Sequence, residues 1–332
     1  MSERVTILLP NYNNERFLRE SLDSIIDQSF KDFRLIVIDD GSTDNSLNII
    51  AEYQEDPRLE VIQKDSNTGI VDSLNIGLDC IQTEYMVRHD GDDVMHPQRL
   101  EMLVDFMDNH PDFGVCSSDV QYIGNSNGQL IYPRNWQENN ANLIFGHSLA
   151  HAACIFRMNL FEENDIRYSN EYPMMEDYYL FYQLKKLTKT TSLPEALYLC
   201  RLWGRNVPSE MVERKRNTFL KFYKNILLDL EIQHVDAPQM HFELCKDVKP
   251  SFHYSQYKNH INSIIQSNDK LNIYPRTFLR PILDKYLNRM LHRLMDNQML
   301  NFKSIIGKPQ TWKYYISSKQ RINRNKNDRF PI

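Results

Sequence analysis

The stretch of sequence that decides the fold is residues 85–93, Tyr-Met-Val-Arg-His-Asp-Gly-Asp-Asp. Its apolar start runs directly into three carboxylates within four residues, which is typical of a buried strand that ends at a polar edge. Three similar apolar segments precede it, at residues 5–9, 35–38 and 59–62, with helical spacing of apolar residues between them. This alternation predicts right-handed βαβ units and an α/β fold with a mostly parallel sheet.

Polar side chains follow these strands at their carboxyl ends, where parallel sheets bind their ligands. Tyr12 offers a flat ring for a nucleobase, and Asp40 offers an acceptor for a ring N–H. Asp90 and Asp92 offer carboxylate oxygens, which suit Mg²⁺ or Mn²⁺ shared with a diphosphate. The structural alternatives are a solvated acidic turn at Asp90 and Asp92 and a turn with a helix start after Asp40, where Ser42 suits an N-cap.

A second acidic pair, Glu176-Asp177, follows Met175 and predicts the start of a helix. Carboxylates in a first helical turn are favoured by the helix macrodipole, so capping alone explains them. The functional interpretation is that one of the two is a general base. Two isolated histidines, His89 and His151, are more typical of hydrogen-bonded structural residues than of catalytic ones.

Several enzyme classes lack support in this sequence. Neither a GxxxxGK[ST] nor a GxGxxG segment occurs, and glycine is only 10 of 332 residues, which argues against P-loop ATPases and nicotinamide dehydrogenases. No GxSxG or HExxH motif occurs either. The five cysteines are far apart and odd in number, which predicts free thiols in a reducing compartment. Because no glycine-rich phosphate-binding segment occurs, a nucleotide diphosphate would need a metal ion to neutralise it.

Charge is distributed unevenly along the chain. The net charge of −5 argues against nucleic acid as a partner, yet residues 276–332 hold thirteen Lys or Arg against three Asp. A leucine stripe from Leu279 to Leu294 makes this segment amphipathic. Residues 277–332 are therefore predicted either to rest on an anionic inner membrane surface or to pack on protein. No run of 18 apolar residues occurs, and we expect a cytoplasmic protein, peripheral on the membrane if the first alternative holds.

The spaced motifs of the N-terminal half resemble glycosyltransferase family 2. The resemblance extends to about residue 209 and rests on these segments, in this order along the chain: 5–13, 29–33, 38–44, 67–69, 73–78, 90–100, 151–157, 175–178 and 194–198. It implies the GT-A nucleotide-diphospho-sugar transferase fold in residues 1–209. Residues 1–100 would be the nucleotide-binding half and 101–209 the acceptor half, followed by a mainly helical region at 210–332.

The resemblance also implies an activity: inverting transfer of a sugar from a nucleotide-diphospho sugar, most often UDP-linked, to an oligosaccharide or lipid-linked glycan. The expected donors are UDP-GlcNAc, UDP-GalNAc, UDP-Gal and UDP-Glc, and the product a β-glycoside. By similarity Asp177 is the catalytic base and Asp92 binds Mn²⁺ or Mg²⁺ together with Asp90. The donor side is implied at Pro10, Asn11, Tyr12, Asp40, Asn67, Arg88, Asp90 and Gly91, and the acceptor side at Glu176, His151 and Trp203.

Two positions depart from the family pattern. Trp203 stands where many relatives carry His, and Gly91 replaces the usual Ala or Ser between the paired aspartates. The segment at 73–78 and Arg88 look closest to bacterial transferases that extend lipooligosaccharide or capsule chains. The alternative functions are a non-catalytic nucleotide-sugar or glycan-binding protein and an enzyme related to sugar-nucleotide pyrophosphorylases.

Overall fold

The computed structural model describes residues 3–204 and 209–296. They form two compact units, the first made of residues 3–143 and 147–204 and the second of residues 144–146 and 209–296. Within these ranges no helix is both long and apolar enough to cross a membrane. All five cysteines lie in them and are free thiols, as the sequence predicts.

The first unit is built on four parallel strands in the order β3-β2-β1-β4, each near its predicted position. β1 is buried along its whole length, which explains its unbroken apolar sequence. Helices on the connections cover the sheet. The elements are β1 Val5–Asn11, α1 Leu18–Ile26, β2 Phe33–Asp39, α2 Ser46–Ala51, β3 Leu59–Gln63, α3 Ile70–Cys80 and β4 Tyr85–Arg88.

Five further strands extend the sheet, and here the predicted parallel arrangement gives way to a mixed one. β4 pairs antiparallel with β8, β8 antiparallel with β6, and only the long β6–β9 pair is parallel. The elements are β5 Val94–Met95, α4 Arg99–Asn109, β6 Phe113–Gly124, β7 Gln129–Leu130, α5 Trp136–Asn142, a 3₁₀ turn His151–Ala153, β8 Ile155–Arg157, α6 Asn159–Glu163, α7 Glu176–Leu184 and β9 Lys189–Leu202.

Close packing of α3 on β1 depends on one glycine. A Cβ at Gly77 would lie 2.2 Å from Leu8 Cδ1, closer than carbon atoms approach. Leu8 and Leu74 are fully buried at this contact layer, and each buried leucine stabilises the fold by about 1.5–3 kcal/mol. The missing side chain at Gly77 therefore fixes how near the helix lies to the strand.

The turn after β2 differs from the prediction that Ser42 caps the next helix. The helix begins at Ser46 with Asn45 as its N-cap, and Ser46 N donates to Asp44 Oδ1 at 2.9 Å. Ser42 instead donates from N and Oγ to the buried Asp39 carboxylate, at 2.9 and 2.7 Å. The prediction was wrong because a buried carboxylate needs donors, and Ser42 is the nearest residue that supplies two.

The second unit is helical, and its last described helix includes the first part of the amphipathic segment 277–332. Leu279, Leu283, Leu291 and Leu294 of that helix are buried in the unit, so this part of the leucine stripe packs on protein. The rest of 277–332, from residue 297 onward, lies outside the described residues. The helices are α8 Ser209–Asp229, α9 Ala237–Cys245, α10 Tyr254–Leu271 and α11 Arg276–Asp296.

Candidate active site

Strand register brings the first set of predicted site residues to one edge of the sheet. Asn11 is paired with Asp39 across β1 and β2, and Asp40 N donates to Asn11 O at 2.8 Å. On the other side of β1, His89 N donates to Leu8 O at 3.1 Å. Residues that directly follow β1, β2 and β4 therefore emerge side by side, and these include Tyr12, Asp40 and Asp90.

Two side chains at this edge are open to solvent, whereas Asp40 is buried. Tyr12 is 45% exposed just beyond β1, and Asn67 is also exposed. The Asp40 carboxylate accepts from the backbone N–H of Thr68 and Gly69, both at 2.9 Å, and pairs with Lys64 Nζ at 2.6 Å. A carboxylate has about four acceptor positions, so Asp40 has capacity for one more donor.

Asn11 and Gly91 have structural contacts at this edge. Asn11 Nδ2 donates to Asp39 Oδ1 at 2.8 Å, and Asn14 Nδ2 donates to Asn11 Oδ1 at 3.3 Å. A Cβ at Gly91 would lie 3.1 Å from Asn14 Nδ2 and 3.2 Å from Asn11 Oδ1. Any larger residue between the two aspartates would crowd these amides, which gives the departure at Gly91 a physical reason.

The acidic turn is held by a residue of the strand before it and by two residues from a distant part of the chain. Arg88, buried in β4, pairs with Asp90 Oδ1 at 2.6 Å. Trp203 Nε1 donates to Asp92 Oδ2 at 3.0 Å, and Arg201 Nε donates to the Asp92 carbonyl at 2.9 Å. The indole that replaces the family's histidine thus orients one of the two paired aspartates.

The third carboxylate of the turn, Asp93, accepts hydrogen bonds from two residues of β9. Tyr198 OH donates to one of its oxygens, and Arg201 N donates to the other at 2.6 Å. Burial raises the pKa of Asp93 to about 7, with Asp90 as the next contribution. Sequence reasoning noted the segment 194–198 but missed Tyr198 and Arg201 as partners of Asp93, because a local motif does not specify contacts with a residue 105 or more positions earlier.

Glu176 and Asp177 form the first turn of α7, as the sequence predicts. Glu176 Oε2 is buried and has no hydrogen-bond partner among the described residues. Burial and the adjacent Asp177 raise the pKa of Glu176 to about 7, Asp90 adds to the rise, and Arg88 opposes it. The structure therefore brings this pair within electrostatic range of the acidic turn.

Asp177 differs from its neighbour in having partners for both oxygens. Tyr178 N donates to Asp177 Oδ1 at 2.7 Å, and His147 Nδ1 lies 3.6 Å from Asp177 Oδ2. Nothing in the sequence around His147 predicts this contact. A half-exposed carboxylate with a fixed orientation can accept a proton from a substrate hydroxyl.

His89 and His151 are hydrogen-bonded within the protein, in agreement with the structural interpretation of both. His151 Nε2 contacts Tyr168 OH at 2.8 Å, and His89 Nε2 contacts Ser21 Oγ at 3.0 Å. Burial is the largest cause of the low pKa of each imidazole, and nearby arginines lower it further. Both rings are therefore neutral at physiological pH.

Residues 6–165 match the model of the glycosyl transferase family 2 domain. Residues 6–165 are a glycosyltransferase family 2 domain. The match begins in β1 and runs through α6, so it includes the acidic turn and His151 of this glycosyltransferase.

Curated relatives of the glycosyltransferase include bacterial proteins of the same kind. An uncharacterized glycosyltransferase of Haemophilus influenzae is 28% identical over 262 residues, which cover 70% of this chain and 81% of that protein. The putative glycosyltransferase EpsE of Bacillus subtilis is 40% identical over 119 residues, which cover 35% and 43%. The poly(ribitol-phosphate) β-N-acetylglucosaminyltransferase TarP of Staphylococcus aureus is 29% identical over 184 residues, which cover 53% and 55%.

Solved structures confirm the GT-A fold of this glycosyltransferase. The crystal structure of S. aureus TarS 1-349 superposes with a TM-score of 0.60 at 21% identity, covering 90% of this chain and 93% of that one. A mannosyltransferase from Pyrobaculum calidifontis, solved with GDP-Man and Mn²⁺, has a TM-score of 0.51 at 15% identity, covering 89% and 88%. At these identities the likeness concerns the fold alone.

Proposed function

We propose that this glycosyltransferase moves a sugar from a UDP-sugar to a hydroxyl of a growing surface glycan, with inversion, so that an α-linked donor gives a β-glycoside. The observation that carries the proposal is the meeting of two carboxylate groups, Asp90 with Asp92 and Glu176 with Asp177, beyond the parallel strands. Related structures support UDP-linked donors, since S. aureus TarS was solved with UDP and with UDP-GlcNAc. UDP-GlcNAc, UDP-GalNAc, UDP-Gal and UDP-Glc are the donors to test.

The nucleotide is proposed to bind at the edge formed by β1 and β2. Pro10 and the exposed ring of Tyr12 would line one face of the uracil, and the remaining acceptor capacity of Asp40 would receive its ring N–H. Asn67 is exposed just before the two residues that bind Asp40. We propose residues 1–209 as the catalytic domain, with 1–100 mainly for the nucleotide and 101–209 for the acceptor.

The residues present fit a divalent cation with oxygen ligands. Among the described residues no group of three or more His, Cys, Asp or Glu could hold a metal by itself. Mg²⁺ and Mn²⁺ are commonly bound by one or two carboxylates together with substrate phosphates, and Asp90 and Asp92 are such a pair. When bound, the cation would stabilise the negative charge of the departing diphosphate. Arg88 orients Asp90, and Trp203 orients Asp92.

Asp177 is proposed to remove the proton of the acceptor hydroxyl as that oxygen attacks the anomeric carbon. The O–H electron pair forms the new C–O bond, and the bond to the diphosphate breaks on the opposite face of the sugar. A single displacement of this kind inverts the anomeric centre. Glu176, His151 and Trp203 are proposed to contribute to the acceptor side, Glu176 as the neighbouring carboxyl that keeps its proton.

The acceptor is proposed to be an oligosaccharide or a lipid-linked glycan. Relatives named as acting on poly(ribitol-phosphate) support an acceptor that is a chain rather than a small molecule. Membrane association of residues 277–332 would depend on residues from 297 onward, because four of the five leucines of α11 are buried in the second unit. Flotation with anionic liposomes of the full chain and of a chain ending at residue 296 tests this role.

A donor panel tests the proposed function directly. Nucleotide release is measured from the four UDP-sugars and from GDP-Man, with Mn²⁺, with Mg²⁺ and with EDTA, and UDP binding is measured by calorimetry. We expect Mn²⁺-dependent UDP binding and metal-dependent release from one UDP-sugar. Binding of GDP but not UDP would contradict the uridine assignment, and full turnover in EDTA would contradict the role of Asp90 and Asp92 as metal ligands.

A further inference from the structure

His147 lies in the loop between α5 and the 3₁₀ turn, within the first unit. Its Nδ1 atom is 3.6 Å from Asp177 Oδ2, a distance at which an imidazolium and a carboxylate form an ion pair. The two side chains are 41% and 30% exposed, so a substrate can reach them. Contacts of catalytic groups are often long without substrate and shorten when it binds.

Tyr178 fixes both members of this pair. Its phenol OH donates to the Leu143 carbonyl at 2.6 Å, which anchors the ring. The ring packs against the imidazole of His147, with centroids 5.0 Å apart. Its backbone N–H holds Asp177 Oδ1, so the other carboxylate oxygen, Oδ2, is the one directed to His147.

The neighbouring carboxyl has a different environment. Glu176 Oε2 is buried without a hydrogen-bond partner among the described residues, whereas Asp177 has a basic side chain beside it. Burial and the adjacent Asp177 raise the pKa of Glu176, so Glu176 is the member of the pair that takes up a proton. Burial of Glu176 and the contact of Asp177 with His147 distinguish the two carboxyls.

We propose that His147 is a positioning residue for Asp177, which it holds oriented and anionic so that Asp177 rather than Glu176 serves as the base. This inference rests on the proposed function. A histidine suits the task because its imidazole is protonated in the acidic range where a carboxylate titrates. The other titratable groups that interact with this pair are Glu176 on the same helix, Tyr168 and Cys154 near Asp177, and His151 near His147.

The first test follows the imidazole itself and needs no knowledge of the donor. Histidine labelled at carbon ε1 is titrated by NMR in the wild-type protein and in Asp177→Asn, and His147→Gln assigns the signal. We expect the His147 titration midpoint to fall by roughly half a pH unit when the carboxylate charge is removed, as for a partly exposed ion pair. An unchanged midpoint, with the other histidine signals in place, would overturn the proposal.

The second test is the pH profile of turnover with the active UDP-sugar. In His147→Gln we expect the acidic limb of kcat to move to higher pH by about half a unit, with KM for the donor unchanged. The matched control is His110→Gln, an exposed histidine stacked on Phe106, which should reproduce the wild-type profile. A His147→Gln profile that matches wild type would overturn the positioning role and leave the proposed function intact.

The two tests separate the failure of this inference from failure of the function it rests on. Absence of turnover with every donor, together with absence of UDP binding, would contradict the proposed function. The NMR titration would still decide whether Asp177 and His147 interact. A lowered midpoint in Asp177→Asn would then support the pair without supporting sugar transfer.

Discussion

Two glutamates, the buried Glu243 in the helical unit and the half-buried Glu176 in the first unit, have opposite surroundings. Glu243 accepts from Gln239 Nε2 at 2.6 Å, from Ser251 N at 3.0 Å, from Ser251 Oγ at 2.5 Å and from the Tyr257 hydroxyl. Glu176 Oε2 accepts from none of the described residues. A carboxylate has about four acceptor positions, so Glu243 is saturated and Glu176 is not.

The difference separates a carboxylate that stabilises the fold from one retained for another reason. A buried polar group without a partner costs about 1–3 kcal/mol, a cost that proteins accept mainly at functional sites. Glu243 joins α9 to the residues before α10 and to α10 itself. Glu176 instead lies beside Asp177 and within electrostatic range of Asp90. Four changes test this contrast.

The largest effect, on kcat, is expected at Asp177, the residue next to Glu176. Asp177→Asn removes the proposed base while keeping the shape of the side chain, and we expect kcat to fall by about 10³-fold. UDP binding by calorimetry and the thermal midpoint should stay near the wild-type values. Retention of kcat within threefold would remove Asp177 from the role of base.

Substitution of Glu243 should lower the stability of the fold. Glu243→Ala leaves the donors on Ser251 and Tyr257 without an acceptor, and we expect the free energy of unfolding to fall by about 3 kcal/mol. Urea unfolding followed by circular dichroism measures this change. Gln239→Ala removes one of the four hydrogen bonds to Glu243, together with the hydrogen bond that Arg216 Nη2 donates to Gln239 Oε1 at 3.0 Å, and serves as the control, with an expected loss of about 1–2 kcal/mol. Equal losses in both variants would contradict the saturated network.

Acid should weaken the helical unit through a neighbouring buried pair. His241 Nδ1 lies 3.1 Å from His260 Nε2, and burial lowers the pKa values of the two rings to about 4 and about 3. An unfolded histidine titrates near 6.5, so the unfolded state takes up protons first and stability falls as pH drops from 6.5 towards 4. For His241 alone we expect a loss of about 2 kcal/mol at pH 5 relative to pH 7.5.

Urea unfolding at a series of pH values measures the acid effect, and His260→Gln provides the comparison. This variant keeps a side-chain N–H donor and loses one titrating ring, so its stability should depend less steeply on pH. His110→Gln, at an exposed position of the first unit, should keep the wild-type dependence. A wild-type stability that stays constant between pH 7.5 and 5 would contradict the buried neutral pair.

The smallest expected effect is at Glu176. Its folded pKa of about 7 exceeds the usual 4.5, so the folded state holds a proton that the unfolded state has lost and stability falls as pH rises from 4.5 to 7. Glu176→Gln removes the ionisable group, and we expect the variant to be about 1 kcal/mol more stable than wild type at pH 8. A variant less stable at pH 8 than wild type would indicate that Glu176 has a stabilising partner.

Local sequence was sufficient for the elements that form the parallel half of the sheet. Apolar segments predicted β1, β2, β3 and β4; β1, β2 and β4 are buried over nearly their whole lengths, whereas the edge strand β3 is only partly covered. Met175 followed by two acidic residues likewise marked the start of α7. These signals succeed because they reflect burial and helix-end electrostatics within a few residues.

Contacts between distant segments were beyond sequence reasoning. The mixed second half of the sheet depends on which strands meet, and apolar periodicity does not specify the partner. Trp203 was noted as a departure, but its hydrogen bond to Asp92 spans 111 positions. His147 has no sequence motif, and its contact with Asp177 exists only because its loop passes the start of α7.

The partners of the acidic turn have a consequence for the order in which the protein is made. β9 and the residue after it supply Tyr198, Arg201 and Trp203 to Asp92 and Asp93, so these contacts form only after more than a hundred further residues have been synthesised. Contacts of such long range form slowly, and the parallel strands can pair before them. A nascent chain ending near residue 100 would therefore carry the parallel sheet edge with Asp92 and Asp93 still without these three partners, and the acidic turn would be completed late in folding.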